Sequence, residues 1–223
     1  YIDGWAALLQ NISTFILVLA LVIGFLVSGI FSDEFQTKAD SIFFSARFGR
    51  SRGIFAKVGA GFYITTGFYL MFVFLYTFIV LFVLGADGAS CPIQLDLWRS
   101  VYNITFLQAY LFIVLGGYIG TIFAATLAML ASAFTHSTPT AVIVPFIVLC
   151  VFPFLSRIIT LPGLCSFFPD QLLEIYLDIK EAGLITLGSK VTTIATVIVP
   201  VYAVVCLIFQ PILYRVYQKV EIK

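Results

Sequence analysis

The stretch LLQNISTFILVLALVIGFLVSGIF, from Leu8 to Phe31, contains no aspartate, glutamate, lysine or arginine. A helix needs about 20 apolar residues to cross a hydrocarbon core, so this stretch is long enough to span a membrane. The rest of the chain has the same character, because 61% of its 223 residues are hydrophobic and only 10% are charged. A soluble domain normally carries about 25% charged residues. The sequence therefore predicts one integral membrane domain over residues 1–223.

Four further stretches are equally free of charged residues. Together with the first they define five predicted spans: Leu8–Phe31, Val58–Ala86, Ile104–Thr135, Ser137–Ser156 and Val191–Tyr214. We expect helices, because backbone polar groups in lipid must be paired within the segment. The runs are continuous, whereas a membrane β-barrel shows short alternating segments. The predicted fold class is an all-α, polytopic helical bundle.

A shorter apolar segment, Leu161–Phe168, cannot cross a membrane and is interrupted by proline. It is followed by the amphipathic stretch PDQLLEIYLDIKEAG, residues 169–183. We interpret the two together as a re-entrant or interfacial segment on the outer side.

The basic residues predict the orientation of the spans, because cytoplasmic loops carry an excess of lysine and arginine. Five spans alternate the loops between two sides. One side has eight basic residues: Lys38, Arg47, Arg50, Arg52, Lys57, Arg215, Lys219 and Lys223. The other side has four: Arg99, Arg157, Lys180 and Lys190. This distribution predicts a multi-pass protein of the cell membrane, with the loop 33–57 and the C-terminus in the cytoplasm.

Small residues recur every fourth position in GGYIGTIFAATLAMLAS, residues 116–132. Gly116, Gly120, Ala124 and Ala128 thus form one ridge on a helix, which is typical of close helix contact. We favour packing within the chain, and a subunit interface is the alternative. Cys91 and Cys165 fall in the two outer loops, where a disulfide is possible in an oxidising compartment. Two unpaired thiols are the equally weighted alternative.

No catalytic residue and no metal site is predicted. The chain has no CxxC motif and a single histidine, His136, which argues against a metal site. The predicted spans contain no acidic or basic residue, whereas carriers driven by protons or ions usually place such residues at bilayer depth. Buried carboxylates or a serine dyad for membrane-embedded hydrolysis are missing as well. A carrier that uses backbone carbonyls at broken helices stays open.

The charged loop SDEFQTKADSIFFSARFGRSRGIFAK, residues 32–57, separates the first two spans. Asp33 is a possible helix N-cap with Gln36 three residues later. Apolar residues then follow at helical spacing: Phe35, Ala39, Ile42, Phe43 and Ala46. This pattern predicts a short amphipathic helix at the cytoplasmic interface. Basic residues that only fix topology and contact lipid headgroups are the simpler alternative.

The loop resembles the first cytoplasmic loop of ABC-2 type transporter permeases. The likeness consists of Glu34 after a long span, the run ADSIFFSARFGRSR, and Lys57 at the entry to the next span. The order of spans, the very short THSTPT connection and the outer segment with FFPDQLL extend it over nearly the whole chain. A glycine that is common in the family is replaced here by Lys38-Ala39. The family usually has six spans, so the five here correspond to spans two to six, and we expect one more before Tyr1.

The resemblance implies the permease subunit of a bacterial ABC exporter, which pairs with a cytoplasmic ATPase and a second permease copy or paralogue. The amphipathic helix would be its coupling helix, with these ATPase-docking residues: Glu34, Phe35, Ala39, Ile42, Phe43, Ala46, Arg47, Arg50 and Arg52. THSTPT would make a second, smaller contact. The chain lacks a GxxxxGK[ST] motif, so ATP and Mg²⁺ would be bound by the partner.

Aromatic, uncharged spans suggest a hydrophobic or amphipathic cargo such as a peptide, a drug or a lipid. Two other functions stay open. One is a carrier or channel driven by an ion gradient, and the other is a membrane protein that senses antimicrobial peptides or confers immunity to them. Membrane lipid is an expected partner, and nucleic acid is not, because the net charge is only +1.

Overall fold

The computed structural model describes residues 2–38, 52–151, 167–181, 183–187 and 190–218. Four of its helices are long and apolar enough to cross a membrane. They are α1 (Asp3–Gln36), α2 (Ile54–Leu84), α3 (Phe106–Thr135) and α6 (Ile194–Gln218). At 1.5 Å per residue they measure about 37 to 51 Å, which exceeds the roughly 30 Å of a hydrocarbon core. A helical membrane protein is confirmed at this level.

The predicted span 137–156 is described only in part. Helix α4 (Thr138–Phe146) has a proline in its first turn and continues into a π-helical turn, Ile147–Val151. Pro145, near the end of α4, cannot donate a backbone hydrogen bond, which explains the change of helix type at this point. The two pieces together measure about 21 Å, less than a bilayer core. Residues 152–156 lie outside the described part, so a fifth span stays a prediction.

Several helix boundaries differ by a few residues from the approximate predicted bounds, each for a local reason. Helix α2 ends before Gly85, whose φ of +97° suits glycine and stops the helix. Helix α3 begins only after Thr105, which forms a reciprocal capping box with Gln108. Residues 191–193, predicted in the last span, belong instead to a strand. Their β-branched side chains favour an extended backbone.

That strand is a departure from the all-α prediction. Strands β1 (Leu184–Leu187) and β2 (Lys190–Thr193) pair antiparallel and lead directly into α6. Before them lie a 3₁₀ turn, Pro169–Leu172, and the short helix α5 (Ile175–Glu181). We call residues 169–181 the outer segment, after the side of the membrane that the sequence predicts for them. Most of its apolar side chains are buried against the long helices, as its amphipathic sequence predicts, whereas Leu177 is exposed.

Helices α1 and α3 form the centre of the bundle. The buried residues of α1 recur at intervals of three or four and make one stripe: Leu8, Ile12, Ile16, Leu19, Ile23, Val27 and Phe31. Helix α3 meets this stripe with small residues. Helix α2, in contrast, leaves most of its aromatic side chains exposed, among them Phe55, Tyr63, Phe74 and Phe82. In a membrane such a helix faces lipid or another subunit.

Polar side chains at several levels of α2 form hydrogen bonds to α3. Tyr69 Oη donates to the carbonyl of Val114 at 2.7 Å. The hydroxyls of Thr77 and Tyr110 lie 2.7 Å apart, and those of Thr66 and Tyr118 lie 2.9 Å apart. Such interhelical hydrogen bonds hold helices together in lipid, where burial of apolar surface provides little driving force.

Helices α1 and α2 are joined at both ends. At one end Trp5 Nε1 donates to the carbonyl of Ala86 at 2.9 Å. At the other end Lys57 Nζ donates to the carbonyl of Ile30 at 3.0 Å. The two helices therefore run antiparallel, and the C-terminus of α1 lies beside the N-terminus of α2.

Candidate docking face at one end of the bundle

The last turn of α1 carries the first of the predicted docking residues. The expected N-cap at Asp33 is wrong, because Asp33, Glu34, Phe35 and Gln36 are all inside α1. The helix stops at Thr37, and Lys38 follows with a φ of +55°. No helix therefore begins at Asp33. Aspartate, glutamate and glutamine are all tolerated in a helix, so α1 continues through this turn, past the predicted end of the span at Phe31.

Glu34 forms an ion pair with Lys57 at the start of α2. The distance from Nζ to Oε1 is 2.6 Å, and the side chains of Lys57 and Glu34 are 17% and 19% exposed. Lys57 also lies over the ring of Phe31, 5.4 Å from its centroid. A carboxylate at a helix C-terminus is disfavoured by the helix dipole. The lysine offsets that cost and fixes α1 against α2.

Thr138, the first residue of α4, is the second junction of this face. Its hydroxyl lies 2.7 Å from Ser32 Oγ, accepts from Gln36 Nε2 at 2.9 Å, and donates to Asp33 Oδ1 at 3.4 Å. All three partners belong to the end of α1. The THSTPT connection is thereby attached to the same turn that carries Glu34.

His136 makes the third contact with this turn. It is the C-cap of α3, with a left-handed φ of +55°, and its ring stacks on Phe35 at 3.8 Å between centroids. Within the described ranges its Nε2 is buried and has no hydrogen-bond partner. The ends of α1 and α3 and the starts of α2 and α4 thus meet in one place. We call this set, Ser32–Gln36, Lys57, His136 and Thr138, the docking face.

Of the remaining predicted docking residues, Arg52 is exposed in the turn just before α2. The others lie outside the described residues: Ala39, Ile42, Phe43, Ala46, Arg47 and Arg50. The amphipathic helix built from them stays a prediction. What the structure adds is that both predicted cytoplasmic connections leave from the same end of the bundle.

The small-residue ridge of α3 packs within the chain at its first two positions. A Cβ at Gly116 would collide with Ile175 Cδ1, and one at Gly120 would lie 2.8 Å from Leu173 Cδ2. Both partners belong to the outer segment. Ala124 and Ala128 are buried further along the same helix. Because Gly120 lies about 21 Å from the start of α3, the outer segment reaches roughly halfway along that helix.

The predicted disulfide is not resolved by the described residues. Cys91 is half-buried in the connection after α2, and Cys165 lies outside the described residues. The pairing stays a prediction.

Two carboxylates of the outer segment are buried, which no pattern in the sequence indicates. Asp170 is 4% exposed and accepts from Gln171 Nε2 at 3.3 Å. Asp178 is 8% exposed, and its Oδ2 accepts from Tyr102 Oη at 3.1 Å and from the backbone N–H of Ala195 at 2.9 Å. Ala195 is in the first turn of α6. Asp178 therefore ties the outer segment to the start of the last helix, as a capping residue does.

Asp178→Asn should change how stability depends on pH. Burial raises the pKa of Asp178 above its ordinary 3.8, although hydrogen bonds from Ala195, Tyr102 and Gly183 oppose the shift. The stability linked to this group is therefore fully present below pH 3.8, and it is lost as pH rises through the raised pKa. Asparagine keeps an acceptor oxygen and does not titrate.

The measurement is the melting temperature of both proteins in detergent across the acid range. With rising pH the wild type should lose stability relative to D178N. A difference between the two that is independent of pH would contradict the assignment.

No protein-family model, no curated protein and no solved structure matches this chain.

Proposed function

We propose that this chain is the permease subunit of an ATP-binding cassette exporter. It would move a hydrophobic or amphipathic cargo, with ATP and Mg²⁺ bound by a separate cytoplasmic ATPase. The proposal rests on the resemblance of loop 32–57 to the coupling loop of ABC-2 permeases. The observation that supports it is the docking face, because one helix turn there contacts the start of α2, the end of α3 and the start of α4.

This arrangement suits transmission of a movement from outside the membrane. A subunit that binds loop 32–57 and THSTPT would pull on the last turn of α1. Because Glu34 holds Lys57 and Gln36 holds Thr138, the same movement would reach α2 and α4. Packed helices with fixed polar contacts pass on such shifts as rigid bodies.

The direct test is co-purification. The tagged permease, expressed with its genomic neighbours, should retain an ATPase subunit, and reconstituted vesicles should transport cargo only with ATP. Failure to retain any ATPase would reject the proposal. Flux that needs an ion gradient and no ATP would favour a carrier that works alone.

Phe43→Asp should abolish or strongly weaken ATPase association, because it places a carboxylate in the middle of the predicted apolar docking surface. The measurement is the amount of ATPase retained per permease after affinity purification. Leu95→Asp is the matched control, since Leu95 is an exposed apolar residue in the connection at the other end of the bundle. Equal retention by the F43D and L95D variants would remove Phe43 from the docking surface.

A further inference from the structure

An apolar groove runs between α2 and α6 at the end of the bundle that carries the docking face. Its cavity has a volume of about 710 Å³, and its walls include Phe55, Phe62 and Tyr63 on one side and Pro211 and Tyr214 on the other. A second cavity of about 270 Å³ continues it deeper between α3 and α6. Phe62 and Gln210 line both cavities, so the two are neighbouring parts of one groove.

The groove has the length of one membrane leaflet. Its walls on α6 extend from Tyr214 to Ala203, which is about 16 Å along the helix axis. Half of a hydrocarbon core is about 15 Å. An acyl chain from one leaflet would fill this length.

Basic residues mark the open end of the groove. Arg215 follows the wall residue Pro211 by four positions and is exposed. Arg52 precedes the wall residue Phe55 by three positions and is also exposed. Residues four apart share a helix face, so Arg215 lies on the side of α6 that borders the groove, just beyond its last wall residue, Tyr214. Arg52 lies in the turn before α2 at the same end.

One polar group lies deeper in the groove. Gln210 is one helical turn below Tyr214, is partly buried, and has no hydrogen bond to any described residue. An amide without a partner is costly at bilayer depth. From the open end inward, the groove thus presents a cation, then an amide, and then apolar walls. A phospholipid presents its phosphate, ester carbonyls and acyl chain in the same order.

We propose that this groove binds one anionic phospholipid from the leaflet on the docking-face side. Arg215 contacts the phosphate, Gln210 donates to an ester carbonyl, and the acyl chain lies along Phe62 toward Ala203. A second copy of this chain is the less suitable occupant. A two-fold axis along the membrane normal would bring the Arg215 side chains of the two copies to one level, where like charges repel. The site does not depend on whether an ATPase binds the protein.

Two glycines on α2 make a matched pair for the test. A Cβ at Gly59 meets nothing within 4 Å, and the same is true at Gly67. Gly59 lines the groove, whereas Gly67 does not. Leucine is therefore tolerated by the fold at both positions but fills the groove only at Gly59.

The experiment is native mass spectrometry of the full chain. The protein is released from mixed micelles that contain phosphatidylglycerol and phosphatidylcholine with identical acyl chains. Wild type and G67L should retain one phosphatidylglycerol molecule, and G59L should lose it. R215Q should lower the preference for phosphatidylglycerol over phosphatidylcholine by about fivefold, the effect of one basic residue at an anionic headgroup.

Three outcomes would contradict the proposal. If G59L retains lipid as G67L does, the lipid binds elsewhere. If G59L leaves lipid unchanged but lowers the fraction of dimer in the same spectra, a second copy of the chain occupies the groove. An unchanged lipid preference in R215Q would remove the phosphate contact.

Discussion

Gly117→Leu is expected to lower the free energy of unfolding by about 3 kcal/mol, at the upper end of what overpacking costs. Gly117 lies where α3 crosses α1 and α2. A Cβ there would lie 2.7 Å from Ile16 Cγ2 and 3.0 Å from Tyr69 Oη. Ile16 and Tyr69 are fully buried, so neither can move aside without disturbing the centre of the bundle. The same clash would break the hydrogen bond from Tyr69 to Val114.

The measurement is unfolding of the purified protein in mixed micelles with increasing denaturing detergent. Gly67→Leu is again the control, because it makes the same chemical change on α2 where the added side chain meets open space. It should unfold close to the wild type. Equal midpoints for G117L and G67L would mean that α1, α2 and α3 do not cross as described.

Glu34→Lys is the second large effect that we expect. It removes the partner of Lys57 and places a like charge beside it, in a site that is mostly shielded from water. Breaking a fully buried pair costs about 3–5 kcal/mol, and we expect about 2–3 kcal/mol here because both side chains keep some exposure. The loss should loosen α2 from α1 at the docking face.

Charge reversal distinguishes this pair from a general effect of mutation. The double variant E34K/K57E restores opposite charges, so it should recover more than half of the stability lost in E34K. It should not reach the wild type, because a carboxylate at position 57 cannot donate to the carbonyl of Ile30 as Lys57 does. A double variant that is less stable than E34K would show that the pair does not couple α1 to α2.

The long helices are predictable from the sequence, but the faces they bury are not. Charge-free runs identify α1, α2, α3 and α6 to within about five residues, since length and hydropathy alone decide whether a segment can cross a bilayer. In α1, however, nearly every residue from Phe15 to Phe31 is apolar, and the buried stripe there has no polar face opposite it. Lipid accepts the same side chains as a protein core, so periodicity carries little information about packing. The small residues of α3 are the exception.

Tertiary contacts explain why the N-cap predicted at Asp33 is absent and why the burial of Asp178 is not predicted. The N-cap expected at Asp33 has the right residue types, but α1 passes through it because Lys57 and Thr138 stabilise the extra turn. In the sequence, Asp178 resembles any polar residue of an amphipathic stretch. Its burial depends on Tyr102 and Ala195, which are distant in sequence. Contacts of this kind follow from tertiary structure and are not encoded in any short pattern.

The contacts at both ends of α1 and α2 have a mechanical consequence. Because Trp5 bonds to Ala86 at one end and Lys57 bonds to Ile30 at the other, α1 and α2 can neither slide along each other nor separate. They move as one rigid body. Helix α6 is held at its start by Asp178, while its other end borders the groove beside α2. We therefore expect the internal motion of lowest energy to be a rotation of α6 about its first turn. A force applied at the docking face would then widen or narrow the groove between α2 and α6.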